Sequence, residues 1–147
     1  MKINCDMDGT SADLYGVEGW LADLRSEKVR PYAVASPLWE TGFLTDLLTA
    51  LQGKGYEINV ISWGSKNATA EYSKRIEDAK KRWLAYHFDG FTFNNVFVVP
   101  YGTKKSSLAD GILFDDDMGV REDWEANGFT AYEPKKIIEI LEKLLDS

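Results

Sequence analysis

Short apolar runs alternate with longer amphipathic stretches along this chain of 147 residues. The runs are almost continuously apolar, which is typical of strands in a parallel sheet that helices cover on both faces. Five strands are predicted, at residues 2–6, 56–62, 95–100, 111–116 and 129–133. Helical spacing predicts helices over about 41–53, 68–86 and 120–128, and a last helix that begins at Pro134. We therefore expect an α/β protein.

The segment that follows the first strand is less regular. Apolar and polar residues from about 18 to 26 fit a short helix, whereas "VRPYAVASPLW", with two prolines, indicates a loop. Aromatic residues are frequent here and are candidates to line a shallow pocket: Tyr15, Trp20, Tyr32 and Trp39.

Composition narrows the classes of function. The formal net charge is −7, which disfavours broad binding to nucleic acids or anionic membranes, although a local basic patch is compatible with it. Cys5 is the only cysteine, so no intrachain disulfide can form, and we expect it to behave as a small buried apolar residue. No apolar run approaches the roughly 20 residues of a membrane-spanning helix or resembles a signal peptide. A cytoplasmic protein is expected.

Residues 6–10 read "DMDGT", which places two carboxylates one residue apart. Such carboxylates repel each other, so we expect them to serve a metal ion or a reaction. A calcium loop of the EF-hand type would need Gly and Glu where Ser11 and Val17 stand. No GxGxxG follows the strand, and "YGTKKSS" lacks the glycine spacing of a P-loop. The single histidine, His87, falls at a predicted helix end, where a structural role explains it.

Three polar residues stand where predicted strands end: Asp6, Ser62 and Asp115. Ligands of open α/β sheets bind beyond the carboxyl ends of the strands. If these strands are neighbours, the three side chains lie close together.

Four segments occur in a fixed order, namely "DMDGT", "ISWGS", "TKKSS" and "LFDDD". In this order the chain resembles the haloacid dehalogenase-like (HAD) phosphohydrolase superfamily, of the small phage and bacterial type, and distantly the 5'-deoxynucleotidases. The resemblance implies one domain over residues 1–147, with a three-layer Rossmann-like sheet in the order 3-2-1-4-5. It also implies a minimal helical cap inserted at about 14–40.

The resemblance further implies roles for individual residues. Asp6 would be the nucleophile and Asp8 the general acid and base. Mg²⁺ would be held by Asp6, the backbone carbonyl of Asp8, Asp115 and Asp116. Phosphate binding would fall to Thr10, Ser62, Trp63 and Lys105. The choice between Lys104 and Lys105 stays open, with Lys105 favoured because "KSS" resembles a helix start. The ligand among the three consecutive aspartates also stays open, and Asp117 is expected to cap the next helix.

The expected activity is magnesium-dependent hydrolysis of phosphomonoesters through an aspartyl-phosphate. A small phosphorylated substrate is expected as the partner, with a nucleotide as the leading candidate and a homodimer left open. One alternative is a non-catalytic module that binds phosphorylated ligands; another is a nucleic-acid 3'-phosphatase, against which the net charge argues. The basic residues 80–82 are expected on a solvated helix face, and Lys66 is the cation expected near the site.

Overall fold

The computed structural model describes all 147 residues and contains seven strands. Their bounds are β1 Lys2–Cys5, β2 Ala12–Asp13, β3 Ser36–Pro37, β4 Glu57–Trp63, β5 Asn95–Val99, β6 Ile112–Phe114 and β7 Thr130–Tyr132. Five of them form one parallel sheet, and β2 pairs with β3 in a separate antiparallel ribbon.

The sheet has the order β5-β4-β1-β6-β7. These labels differ from the predicted 3-2-1-4-5 because the two ribbon strands fall between β1 and β4 along the chain. Counted among themselves, the five sheet strands run 3-2-1-4-5. The central strand β1 therefore lies between β4 and β6, and the strand order reverses beside it. This is the place where open α/β sheets bind ligands.

Six α-helices accompany the sheet. Their bounds are α1 Trp20–Arg25, α2 Arg30–Val34, α3 Thr41–Gly53, α4 Ala70–His87, α5 Met118–Ala126 and α6 Ile137–Asp146. Side chains of α3, α4 and α6 join one face of the sheet in a single apolar cluster, for example Leu48, Trp83 and Leu141 with Ile3. On the other face, Trp124 of α5 packs with Ile61 and Leu113. The predicted α/β architecture with helices on both faces is confirmed.

Three asparagines fix the register of the neighbouring strands. Asn4, Asn59 and Asn95 lie opposite one another on β1, β4 and β5. The Asn59 side-chain amide donates to Asn4 Oδ1 at 2.9 Å, and that of Asn95 donates to Asn59 Oδ1 at 3.0 Å. Because a slip would leave buried amides without partners, this row favours one register.

Residues 29–39 are not the loop that the sequence predicted. They contain α2 and β3, and Pro31 stands in the first turn of α2. Proline is tolerated there because the first N–H groups of a helix have no intrahelical acceptor. The last helix also differs, since Pro134–Lys136 forms a 3-10 turn and α6 begins at Ile137. None of the helices has the length and apolar character that a membrane crossing requires.

Candidate active site

The chain turns sharply where β1 ends. Met7 O accepts hydrogen bonds from the backbone N–H groups of Thr10, Ser11 and Ala12, at 2.8–3.0 Å. Gly9 sits in this turn with φ of +82°, and a Cβ on it would collide with the Asp116 carboxylate. Only glycine fits both the conformation and the space. The turn thereby sets Asp6 and Asp8 at the same edge of the sheet.

Asp6 is almost fully buried and held at both carboxylate oxygens. Oδ1 accepts from Lys105 Nζ at 3.0 Å, and Oδ2 accepts from Thr10 Oγ1 at 3.0 Å. Each carboxylate oxygen has a second lone pair, so both can still accept another partner. Asp6 is therefore held in one orientation, and its oxygens can still contact a substrate or an ion.

Two further carboxylates follow β6, the strand on the other side of β1. Asp115 is buried, and its Oδ2 accepts from Lys105 Nζ at 2.7 Å while Oδ1 accepts from the N–H of Asp117 at 3.0 Å. Asp116 is more exposed, and Asp6, Asp115 and Asp116 each place an oxygen within 4.8 Å of the others. The predicted cluster of Asp6 with the acids after β6 is thus present.

Crowding perturbs these carboxylates. Burial, followed by the charge of Asp6, raises the pKa of Asp115 to about 6. Burial, the hydrogen bond with Asp6 and the neighbouring charges raise the pKa of Asp116 to about 8. Burial alone would lower the pKa of Lys105, but Asp6 and Asp115 outweigh it, so the net shift is upward. The cluster holds more negative charge than Lys105 offsets.

The donor set fits a hard divalent cation. When all three carboxyl groups are ionised, they and the Lys105 ammonium sum to a formal charge of −2, which one divalent ion balances. Mg²⁺ prefers oxygen ligands of this kind and keeps several waters. The Asp8 carboxylate is not in the group, in line with the prediction that its backbone carbonyl is the ligand. That ligand and the identity of the ion stay predictions.

The structure distinguishes Lys104 from Lys105 and shows the role of Asp117. Lys105 contacts both Asp6 and Asp115, whereas Lys104 is exposed, so Lys105 is the lysine at the cluster. Asp117 accepts from the N–H of Val120 at 3.0 Å and caps α5, as predicted.

Lys80 is a further residue of the site, although the sequence predicts a solvated helix face for residues 80–82. Its side chain is fully buried. Lys80 Nζ donates to Asp8 Oδ2 at 2.8 Å, to Ser62 Oγ at 2.6 Å and to the Trp63 carbonyl at 2.8 Å. Burial raises the pKa of Asp8 above its ordinary value, and Lys80 opposes that shift. A signal existed, because Lys80 comes four residues after Ile76 in the buried stripe of α4.

The carboxylates open onto a small chamber of about 90 Å³. Its walls include most of the predicted site: Asp6, Asp8, Trp63, Lys105, Asp115 and Asp116. Thr10 and Ser62 are fully buried and are not among the residues that line the chamber; their hydroxyls bond Asp6 and Lys80. Their role as phosphate ligands stays a prediction.

A larger cavity of about 540 Å³ adjoins the chamber and shares Asp8, Tyr15 and Tyr101 with it. Tyr15, Trp20 and Tyr32 line this cavity, as expected for aromatic residues of the segment 14–40. Trp39 does not; its Nε1 donates to the Thr10 carbonyl, and its ring packs against the core. Lys66 stands at the larger cavity.

Comparisons with family models and with curated proteins found no match for this chain. The interpretation of the site therefore depends on its geometry.

Proposed function

We propose that this protein is a magnesium-dependent phosphomonoester hydrolase that acts through an aspartyl-phosphate on Asp6. The proposal is supported chiefly by one arrangement. The buried Asp6 carboxylate is hydrogen-bonded at both oxygens and shares the chamber with the Asp8 carboxylate. The same chamber is lined by Asp115, Asp116 and Lys105. A cytoplasmic location belongs to the same proposal and is supported by the single buried cysteine.

In the first step, an Asp6 oxygen attacks the phosphorus and the bond from phosphorus to the leaving oxygen breaks. Asp8 gives its proton to that oxygen, which leaves as an alcohol or phenol. Asp8 is paired with Lys80 in the free protein, and burial raises the pKa of its carboxyl group, so it takes up this proton when the anionic substrate enters the chamber. Lys80 fixes the carboxyl group through its 2.8 Å hydrogen bond to Oδ2.

In the second step, water attacks the phosphorus of the aspartyl-phosphate and gives its proton to Asp8. The bond from phosphorus to Asp6 breaks, which releases inorganic phosphate and restores both carboxyl groups to their starting states. Lys105 offsets the negative charge that builds up beside Asp6 in both steps, because its ammonium is already 3.0 Å from Oδ1.

A divalent ion fits this scheme through Asp6, Asp115 and Asp116. When bound, it would supply positive charge that lets an anionic nucleophile approach an anionic phosphoryl group.

The test is release of phosphate from p-nitrophenyl phosphate by the purified protein, with Mg²⁺ and with EDTA. An Asp6→Asn variant is compared with Asp89→Asn, since Asp89 is exposed and forms no ion pair. We expect magnesium-dependent turnover that Asp6→Asn lowers at least about 1,000-fold and Asp89→Asn leaves intact. Circular dichroism checks that both variants fold.

Turnover that survives in Asp6→Asn would contradict the proposal. Magnesium binding without turnover on p-nitrophenyl phosphate, nucleoside monophosphates or 3'-phosphorylated oligonucleotides would favour the non-catalytic binding module. Turnover confined to the oligonucleotides would favour the nucleic-acid 3'-phosphatase.

A further inference from the structure

The chamber is much smaller than the adjoining cavity, so the two spaces suit two different parts of a ligand. The chamber, at about 90 Å³, is about one sixth of the volume of the cavity. It suits a compact group such as a phosphoryl group. The cavity of about 540 Å³ lies within the range of small-molecule sites, and both spaces meet at Asp8. Asp8 is the residue assigned to protonate the leaving oxygen.

The cavity walls are aromatic and partly exposed. Tyr15 and Trp20 meet edge to face with ring centroids 5.1 Å apart, and Tyr32 lines the same space. Tyr15 is 52% exposed and Tyr101 is 53% exposed, in a chain that buries most of its other large apolar side chains. Exposed apolar surface gathered around a concavity marks a contact site. Flat rings on its walls favour a flat, apolar ligand body.

Two cations complete the lining. Arg25 and Lys66 face this cavity, and neither forms an ion pair, although acidic residues outnumber basic ones by 24 to 17 in the chain. Lys66 Nζ lies 6.0 Å from the centre of the Tyr101 ring. The only acidic residue of the lining is Asp8, which Lys80 already pairs. The cavity therefore combines aromatic walls with positive charge that no protein group neutralises.

From this combination we infer that the cavity takes the leaving group of the substrate, and that this group is an aromatic ring that carries a second anionic substituent. The inference rests on the proposed function for the phosphate position, and it adds the substrate class. Arg25 and Lys66 would bind the second anion, and Tyr15, Trp20 and Tyr32 would contact the ring.

Non-hydrolysable phosphonates test this without any need for turnover. Calorimetry in saturating Mg²⁺ compares the dissociation constants of cyclohexylphosphonate, phenylphosphonate, and 3- and 4-phosphonobenzoate. The proteins are the unmodified chain, an Arg25→Gln/Lys66→Gln double variant, and Arg82→Gln, which removes an exposed cation outside the cavity.

We expect phenylphosphonate to bind about fivefold more tightly than cyclohexylphosphonate, and one phosphonobenzoate about tenfold more tightly again. The double variant should lose the tenfold preference for the carboxylate, and Arg82→Gln should keep it. Equal dissociation constants for all four ligands, no binding of any, or a preference that persists in the double variant would overturn the inference. These results leave the proposed function standing as long as p-nitrophenyl phosphate is hydrolysed. Conversely, the expected preferences without any turnover would refute the proposed function and support the ligand class.

Discussion

Replacement of Lys80 by methionine should strongly destabilise the protein. The methionine stem nearly matches that of lysine, so Lys80→Met keeps most of the apolar packing and removes the ammonium group. Lys80 is fully buried and donates to three acceptors, at 2.6–2.8 Å. In the variant the Asp8 carboxylate, the Ser62 hydroxyl and the Trp63 carbonyl each lose that donor.

The magnitude follows from the burial of the pair. Loss of one partner of a buried ion pair costs about 3–5 kcal/mol, since the other charge is left without compensation. The Asp8 side chain retains 16% exposure, which lets water relieve part of the cost. We therefore expect a loss of about 3 kcal/mol in the free energy of unfolding. Total stabilities of about 5–15 kcal/mol make this a large effect.

Urea unfolding at pH 7 without Mg²⁺, followed by the fluorescence of the five tryptophans, measures the loss. Lys81→Met is the matched control on the same helix. Lys81 pairs with Glu77 at 2.8 Å but is 48% exposed, so its replacement should cost about 0.5 kcal/mol or less. Asp8→Asn and the Asp8→Asn/Lys80→Met double variant complete a cycle in which the double loss should fall short of the sum by about 2 kcal/mol. Equal costs for Lys80→Met and Lys81→Met, or additive losses in the cycle, would refute the reasoning.

Three further outcomes can be measured. Lys105→Met should lower phosphatase turnover at least about 100-fold, and Lys104→Met should leave it within about twofold; equal losses in a steady-state assay would show that the wrong lysine is placed at the cluster. Mg²⁺ at a hundred times its dissociation constant should raise the free energy of unfolding by about 2.7 kcal/mol. Thermal unfolding should show a smaller increase for Asp116→Asn, and an equal increase would mean that the ion binds elsewhere. Burial and the neighbouring Asp6 raise the pKa of Cys5 to about 12. A chromogenic disulfide reagent at pH 8 should therefore react at least about 100-fold faster with the unfolded chain than with the native protein. Comparable rates would mean that Cys5 is accessible in the native protein.

The sheet was predictable from the sequence because its strands are nearly continuous apolar runs that end in polar residues. Asp6 and Asp115 come directly after buried strands that pair with each other, so their convergence follows from the pattern once β1 and β6 are neighbours. The turn at Gly9 was also predictable from the sequence, since glycine there allows a conformation that other residues avoid.

What the sequence could not show depends on long-range packing. Lys80 belongs to a basic stretch, and only the approach of α4 to β4 turns its ammonium toward Asp8 and Ser62. Likewise, Pro31 suggested a loop, because a pattern of residues does not reveal that the proline falls in the first turn of a helix. The cavity beside Asp8 is formed by segments remote in sequence, so its shape and unpaired cations emerge only in the fold.

Chemical trapping of the intermediate tests the central claim most directly. The protein is mixed with p-nitrophenyl phosphate and Mg²⁺, quenched during turnover, treated with borohydride, and analysed by peptide mass spectrometry. An acyl phosphate on Asp6 would be reduced at that side chain, so we expect a substrate-dependent mass change at residue 6 and at no other aspartate. Robust hydrolysis with no modification of Asp6, or with modification at another carboxylate, would contradict the account.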